Sequence, residues 1–291
     1  MSKLNILHTY PDLKIGGACK IMIKMANIMI EENHNVYIIS SAGELKPTIH
    51  NDVNQLYLNL NRDKNLIIKF YNYFNALIFN FKIIKNKKID ILINHHRYLS
   101  PIYFLARLFF RIKVIYVAHA TPPKIFPFEH LLLGDKVWAV SGFVKKYFIN
   151  EFKVNPDIIR TITNSVDKLK KYDSKKNNIL KKKLSLDEKK IITCIAHFRK
   201  IKRQEFLIDA FDDVFQNNDK IILILYGFGE KESELKSKVK NSNSSQKIIF
   251  IKDEFSVESV VNISDLIVLP SSREGLGLSI LEGFSIGKPA I

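Results

Sequence analysis

Only two cysteines occur, Cys19 and Cys194, far apart and in no Cys-x-x-Cys pair. A disulfide framework and a cysteine-rich zinc module are thereby excluded, and a reducing cytoplasm fits best. No two aspartates stand two residues apart, and none of the eight histidines falls in a His-Glu-x-x-His pattern, so no metal site is expected. The start, Met1-Ser2-Lys3-Leu4-Asn5-Ile6-Leu7-His8, lacks the charged lead, long apolar run and small-residue cleavage site of a signal peptide, and reads as a first strand. No repeat at a solenoid period is visible. What is present is an ordinary soluble balance: 291 residues, 46% hydrophobic and 25% charged, enough for two domains with sizeable cores. Lys and Arg total 45 against 29 Asp and Glu, a formal net charge of +16, which favours anionic partners such as nucleotides, phosphates, acidic lipid or nucleic acid.

Short apolar runs recur with helix-length stretches between them: Leu4 to His8, Asn35 to Ser40, Ile89 to Asn94, Val114 to His119 and Val137 to Val140. After a lysine-rich interval the pattern restarts at Ile191 to Ala196, Ile221 to Tyr226, Ile248 to Ile251 and Leu266 to Leu269. Near-continuous apolar strands imply burial on both sheet faces, the parallel-sheet situation with helices on each side. The fold class is therefore α/β, with two Rossmann-like domains whose parallel sheets face a central cleft. The expected division is 1–167, a lysine-rich linker and connecting helix at 168–190, and 191–291. In open α/β sheets ligands bind beyond the carboxyl ends of the strands, so the strand-to-helix loops hold the candidate residues.

The most informative loop follows the last strand: Pro270-Ser271-Ser272-Arg273-Glu274-Gly275-Leu276-Gly277, then Leu278-Ser279-Ile280-Leu281-Glu282-Gly283 and the exit Gly287-Lys288-Pro289. A glycine loop ahead of a helix exposes backbone N–H groups suited to a phosphate or a hydroxyl-rich ligand. Glu274 and Glu282, eight residues apart, can address different parts of one extended ligand. After the strand at Ile191 comes His197-Phe198-Arg199-Lys200-Ile201-Lys202-Arg203, a cationic loop able to stabilise charge on a departing diphosphate. In the first half, Asp12-Leu13-Lys14-Ile15-Gly16-Gly17-Ala18 joins the first strand to a helix at Cys19 to Glu32, and reads equally as a tight turn.

Together these segments resemble the family 4 retaining glycosyltransferases, which share the GT-B fold. The resemblance implies that Glu274 holds hydroxyls of a donor sugar, that the amides of Gly275, Leu276, Gly277 and Leu278 line the sugar and diphosphate, and that Glu282 binds ribose. Arg199 and Lys202 match the family's basic pair, although Arg203 stands where glycine is common. Gly16 and Gly17 match its first glycine loop, with Cys19-Lys20 where many members carry Glu-Arg. His119, closing the strand Tyr116-Val117-Ala118, matches a histidine that reaches the donor sugar, and His95 and His96 are weaker candidates of the same kind. Val137-Trp138-Ala139-Val140-Ser141 and Asn164-Ser165-Val166-Asp167 agree with two further segments. Gly227, in Gly227-Phe228-Gly229, is a further donor-binding candidate; Glu232 replaces the third glycine of a dinucleotide fingerprint, which weakens a dehydrogenase reading. Gly277-Leu278-Ser279-Ile280-Leu281 lacks the closing glycine of a hydrolase elbow.

The implied function is metal-independent, retaining transfer of a sugar from a nucleotide-sugar to a hydroxyl of a sugar or lipid-linked glycan acceptor, in bacterial envelope polysaccharide or lipopolysaccharide synthesis. No cofactor is implied, since the nucleotide-sugar is a substrate. A family member would continue past Ile291, so the second domain is expected to be incomplete, which leaves open an inactive nucleotide-sugar-binding or partner subunit. No DNA or RNA module is visible, and nucleic-acid binding ranks last. Leu66 to Lys88 interleaves Lys69, Lys82, Lys85, Lys87 and Lys88 with Phe70, Tyr71, Tyr73, Phe74, Phe79 and Phe81. Two readings stay open: a helix lying on the anionic inner face of the membrane, or a domain helix with its aromatics packed inward.

Overall fold

The structure, a computed structural model, describes residues 2–58, 66–252 and 254–291. The chain divides into two compact units, Met1–Asn164 and Ser165–Ile291. In the first, the order is β1 (Asn5–Asp12), α1 (Gly17–Glu31), β2 (Asn35–Ser41), β3 (Asn54–Tyr57), α2 (Leu66–Asn86), β4 (Ile91–Asn94), α3 (Ser100–Phe110), β5 (Lys113–Ala118), β6 (Lys136–Ala139), α4 (Gly142–Asn150) and β7 (Ile159–Thr161). The seven described strands are all parallel, in the order β3-β2-β1-β4-β5-β6-β7. Successive connections run outward in one direction from β1 and in the other from β4, so strand order reverses between these two.

Burial explains why the apolar runs form these strands. Ile6 and Leu7 of β1, Leu92 and Ile93 of β4, and Val114, Tyr116 and Val117 of β5 are all buried, as helix-covered parallel strands require. The helices start and stop on local signals. Ser141 Oγ accepts the Val144 amide at 3.2 Å to cap α4, and α3 opens on Pro101 and ends at Arg111 in a left-handed conformation. The sequence pattern does not predict β3 or β7. Both are edge strands, and only Ile159 among their seven residues is buried, so neither writes an apolar run.

The second unit runs α5 (Ser174–Lys183), β8 (Lys190–Ile195), α6 (Gln204–Phe215), β9 (Ile221–Tyr226), α7 (Glu232–Lys240), β10 (Ile248–Ile251), α8 (Val257–Ile263), β11 (Leu266–Ile267) and α9 (Leu278–Phe284). Its described strands form a parallel sheet ordered β10-β9-β8-β11, with Ala290 pairing in parallel against Ile267 beside β11. Here the order reverses between β8 and β11. The lysine-rich segment 168–190, expected as a linker, lies within this unit. The Lys170 amide donates to Glu258 Oε1 and the Tyr172 amide to Asn262 Oδ1, each at 2.7 Å, while Asn262 Nδ2 returns a bond to the Lys170 carbonyl. Asn262 is buried, so its amide needs partners away from water, and it anchors the stretch at Lys170 and Tyr172 while most of the lysine-rich segment stays exposed.

Candidate active site

In the first unit the adjacent strands β1, β4 and β5, the first two of which flank the reversal of strand order, bring three histidines side by side. His8 lies on β1, paired in register with Ile93 of β4; His95 follows β4 and His119 follows β5. His8 Nδ1 and His95 Nε2 are 3.0 Å apart, as are His95 Nδ1 and His119 Nε2. Neighbouring rings are inclined by only 23° and 22°, with centroids 5.3 and 5.2 Å apart, so the nitrogens meet edge to edge and nearly in plane. His8 Nε2 lies 3.2 Å from Met29 Sδ on α1. Desolvation lowers the pKa of His8 and of His119 to about 3. Burial, with the other two imidazoles beside it, holds His95 well below the ordinary histidine value. All three are therefore neutral near pH 7. They bond in series rather than converging on a point. Among the described residues no group of three or more His, Cys, Asp or Glu is placed to hold a metal ion.

The chain of imidazoles brings together His119, the strongest sequence candidate of this unit, His95, a weaker one, and His8, which reads from sequence only as the end of a strand. His96 does something else: its Nδ1 accepts the Tyr98 amide at 3.2 Å and caps a short helical turn. Gly16 and Gly17 lie where expected, at the entry to α1, but Gly16 is extended and a Cβ there would make only an ordinary contact, 3.9 Å from the Lys14 carbonyl oxygen, so the backbone at Gly16 does not demand glycine. Trp138 and Ser141 have structural partners, the Ile162 carbonyl and the α4 amide already described.

In the second unit the reversal lies between β8 and β11, and the loops leaving these two strands carry the charged candidates. Lys202 Nζ and Glu274 Oε2 form an ion pair at 2.5 Å with both side chains partly buried. The Ser272 amide and hydroxyl both donate to the Ile201 carbonyl, at 2.9 and 3.2 Å, clipping one loop to the other next to the pair. Arg199 sits three residues before Lys202 in the same loop, exposed. Buried Gln204, the first residue of α6, donates from Nε2 to the His197 carbonyl and so fixes the base of that loop. Arg203 has φ 52° and ψ 37°, the left-handed region, which accounts for glycine being common at the position it matches.

Gly275, Leu276, Gly277 and Leu278 follow Glu274 into α9, and Glu282 lies on that helix, half-buried. Gly227 is required by packing: a Cβ there would lie 2.2 Å from the Ala196 carbonyl oxygen, at the foot of the 196–203 loop. Both cysteines are buried with pKa values pushed up to about 12 by desolvation, so neither supplies a thiolate.

Comparison with known proteins identifies the family and the fold. Residues 15–168 match the family described as Glycosyltransferase Family 4, and residues 175–291 match Glycosyl transferases group 1. The chain is 26% identical to N-acetyl-alpha-D-glucosaminyl L-malate synthase of Bacillus anthracis, covering 97% of this chain and 76% of that protein. It is 24% identical to UDP-Gal:alpha-D-GlcNAc-diphosphoundecaprenol alpha-1,3-galactosyltransferase of Escherichia coli, covering 100% and 79%. The crystal structure of Anabaena Alr3699/HepE in complex with UDP-glucose superposes with a TM-score of 0.80 at 18% identity, covering 99% of this chain and 79% of the other.

Proposed function

The chain belongs to Glycosyltransferase Family 4 and has the GT-B fold, and on that premise we propose that it moves a sugar from a nucleotide-sugar to a hydroxyl acceptor with retention at the anomeric carbon and without a metal ion. The observation that carries this reading is the second unit's constellation: Lys202 paired with Glu274, Arg199 in the same loop, and Glu282 eight residues beyond Glu274. As the sugar–phosphate bond breaks, negative charge grows on the diphosphate and positive charge on the anomeric carbon. Arg199 and Lys202 stabilise the first, and the Glu274 carboxylate, by accepting sugar hydroxyls, the second. The clip from Ser272 to Ile201 holds these groups in place beforehand, so little reorganisation is needed as charge moves. Backbone amides of Gly275 to Leu278 line the sugar and diphosphate, and Glu282 grips ribose. By the family resemblance, donor binding is also assigned to Gly16 and Gly17 of the first unit, and recognition of the transferred sugar to His119.

Relatives support a glycan setting, since the Escherichia coli protein's name specifies UDP-Gal and a diphosphoundecaprenol acceptor. For this chain the acceptor is taken as a sugar or lipid-linked glycan of envelope polysaccharide. Incubation with UDP-, GDP- and ADP-sugars and glycan acceptors in EDTA, read by mass spectrometry, tests the reading. Transfer in EDTA is the expected result. Donor binding without turnover would instead mark an inactive nucleotide-sugar-binding subunit, and activity rescued only by manganese would overturn metal independence.

The first unit also supports docking on an anionic lipid surface. Of the α2 aromatics, Tyr73, Phe79 and Phe81 pack toward the core, while Phe70, Tyr71 and Phe74 are exposed together with Ile67 and Ile78. Leu108 and Phe109 of α3 are exposed too, and Lys69, Lys82 and Lys85 stand among the outward α2 side chains. One face of the helix packs on the core, and the exposed apolar and basic side chains of the other are what support the proposed docking on lipid. No helix among the described residues is long and apolar enough to cross a membrane. Flotation with vesicles containing phosphatidylglycerol should exceed that with phosphatidylcholine alone and fall with salt. Equal partitioning would remove the proposal.

A further inference from the structure

We propose that His8 and His95 are positioning residues that fix the tautomer of His119 as Nε2–H, so that its Nδ1 presents a lone pair to the donor sugar. The tautomers follow from the hydrogen-bond partners. A thioether sulfur accepts a proton but has none to give, so the contact of His8 Nε2 with Met29 Sδ places the proton on that nitrogen. A neutral imidazole carries one proton, which leaves His8 Nδ1 as an acceptor, and it must receive Nε2–H of His95, 3.0 Å away. His95 Nδ1 is then bare and receives Nε2–H of His119, also at 3.0 Å. His119 Nδ1 ends the chain as an acceptor, and no hydrogen bond to it forms among the described residues. The near-coplanar rings let each N–H point along its neighbour's in-plane lone pair. Reversing the polarity would face a bare His8 nitrogen against sulfur lone pairs.

The consequence is one of specificity. Resting on the reading that His119 meets the transferred sugar, an Nδ1 acceptor takes a hydroxyl or an amide N–H. It opposes a carboxylate, which has no proton to donate, so neutral hydroxylated or N-acylated sugars are accepted and uronic acids disfavoured at this contact.

Histidine-selective nitrogen NMR of the full chain at pH 7 tests the tautomers without reference to activity, the signals being assigned by single His→Gln substitutions. His8, His95 and His119 should all be neutral with the proton on Nε2; a protonated Nδ1 on His119, or a charged ring, would overturn the proposal. Met29→Leu, at a half-buried position that tolerates the swap, removes the sulfur acceptor. It should introduce an Nδ1–H population at His119, and an unchanged spectrum would show that the sulfur does not set the polarity. With a competent donor, His95→Leu should lower kcat about tenfold with KM within about twofold. His95→Gln, whose amide can donate to His8 and accept from His119, should restore most of it. Equal loss in two folded variants would make His95 merely structural. Absence of transfer with any donor would count against the proposed function while leaving the spectrum to decide the tautomers.

Discussion

In the first unit the adjacent strands β1, β4 and β5 bring together three uncharged imidazoles in series, whereas in the second the loops leaving the strands at the reversal of order carry a lysine, an arginine and a glutamate. Burial accounts for the difference. His8 and His95 are buried, and a charge there would have to forgo water, so the site is built from groups that stay neutral and each pass one N–H to the next. Lys202 and Glu274 are partly exposed and Arg199 is exposed, which lets full charges persist within reach of a ligand. One unit is thus suited to orienting hydroxyls and the other to meeting charge that appears during reaction. A polar site can be prepared by excluding charge or by balancing it.

The sharpest way to break this comparison is to neutralise the charge that the second unit is proposed to use. Glu274→Gln keeps size and hydrogen-bonding reach but removes the anion, and turnover should fall by about 100- to 1,000-fold, as for loss of a single transition-state electrostatic contact. Binding of free nucleoside diphosphate, measured by calorimetry, should remain near that of the unaltered protein. A variant with ordinary turnover would remove Glu274 from the chemistry.

The first unit is tested by acid. An imidazole whose folded pKa is lowered from 6.5 to about 3 binds no proton in the native state while the unfolded chain takes one up. Its contribution to stability is therefore complete above about pH 6.5 and is lost as pH falls through the window between 6.5 and 3. The slope reaches at most about 1.4 kcal/mol per pH unit for each imidazole. Calorimetric melting should show the transition moving to lower temperature between pH 7 and pH 5, less steeply in His119→Gln. A melting temperature independent of pH in that range would mean that the imidazoles are not held neutral.

A smaller effect separates the two glutamates within the second unit. Charged hydrogen bonds contribute about 1.5 to 3 kcal/mol, so Glu282→Gln should weaken nucleoside diphosphate binding by about tenfold or more, with a lesser effect on kcat. Were Glu274→Gln the variant that weakens the nucleotide, the assignment of ribose and sugar to the two carboxylates would be reversed.

How much of this was legible in the sequence differs between the units for a physical reason. A strand buried on both faces, such as Ile221–Tyr226, writes an unbroken apolar run and is found to the residue. The edge strands at Asn54 and Ile159 are mostly uncovered and write none. Glu274, Lys202 and Arg199 stand in strand-to-helix loops, where packing does not call for a charged side chain. Residue type and spacing therefore suffice to nominate them, though not to show that Lys202 and Glu274 are paired. His8 is hidden because its neighbours Ile6 and Leu7 make it look like the end of a buried strand. Its meaning depends on β1, β4 and β5 lying side by side, a matter of strand order that adjacent residues do not encode. The signal that would have exposed it is the presence of a histidine in an otherwise apolar central strand, since a buried imidazole needs a partner.

Arg203 offers the smallest test and concerns how the charged loop is held. Its φ of 52° lies in the left-handed region, where the Cβ of an L-residue crowds the following carbonyl at a cost of about 1 to 2 kcal/mol. Glycine has no such cost there, although it brings a more flexible unfolded chain, and the substitution also forfeits the guanidinium placed 4.7 Å from the Phe206 ring. The opposing effects leave Arg203→Gly more stable by about 0.5 to 1 kcal/mol, read as a rise in the denaturant midpoint with unchanged slope. Turnover should change little, because Arg199 and Lys202, rather than Arg203, are assigned to the diphosphate. If stability rose but turnover dropped tenfold, the third cation of the loop would also belong to the site, and the second unit's balance of charge would have to be redrawn with Arg203 facing the donor.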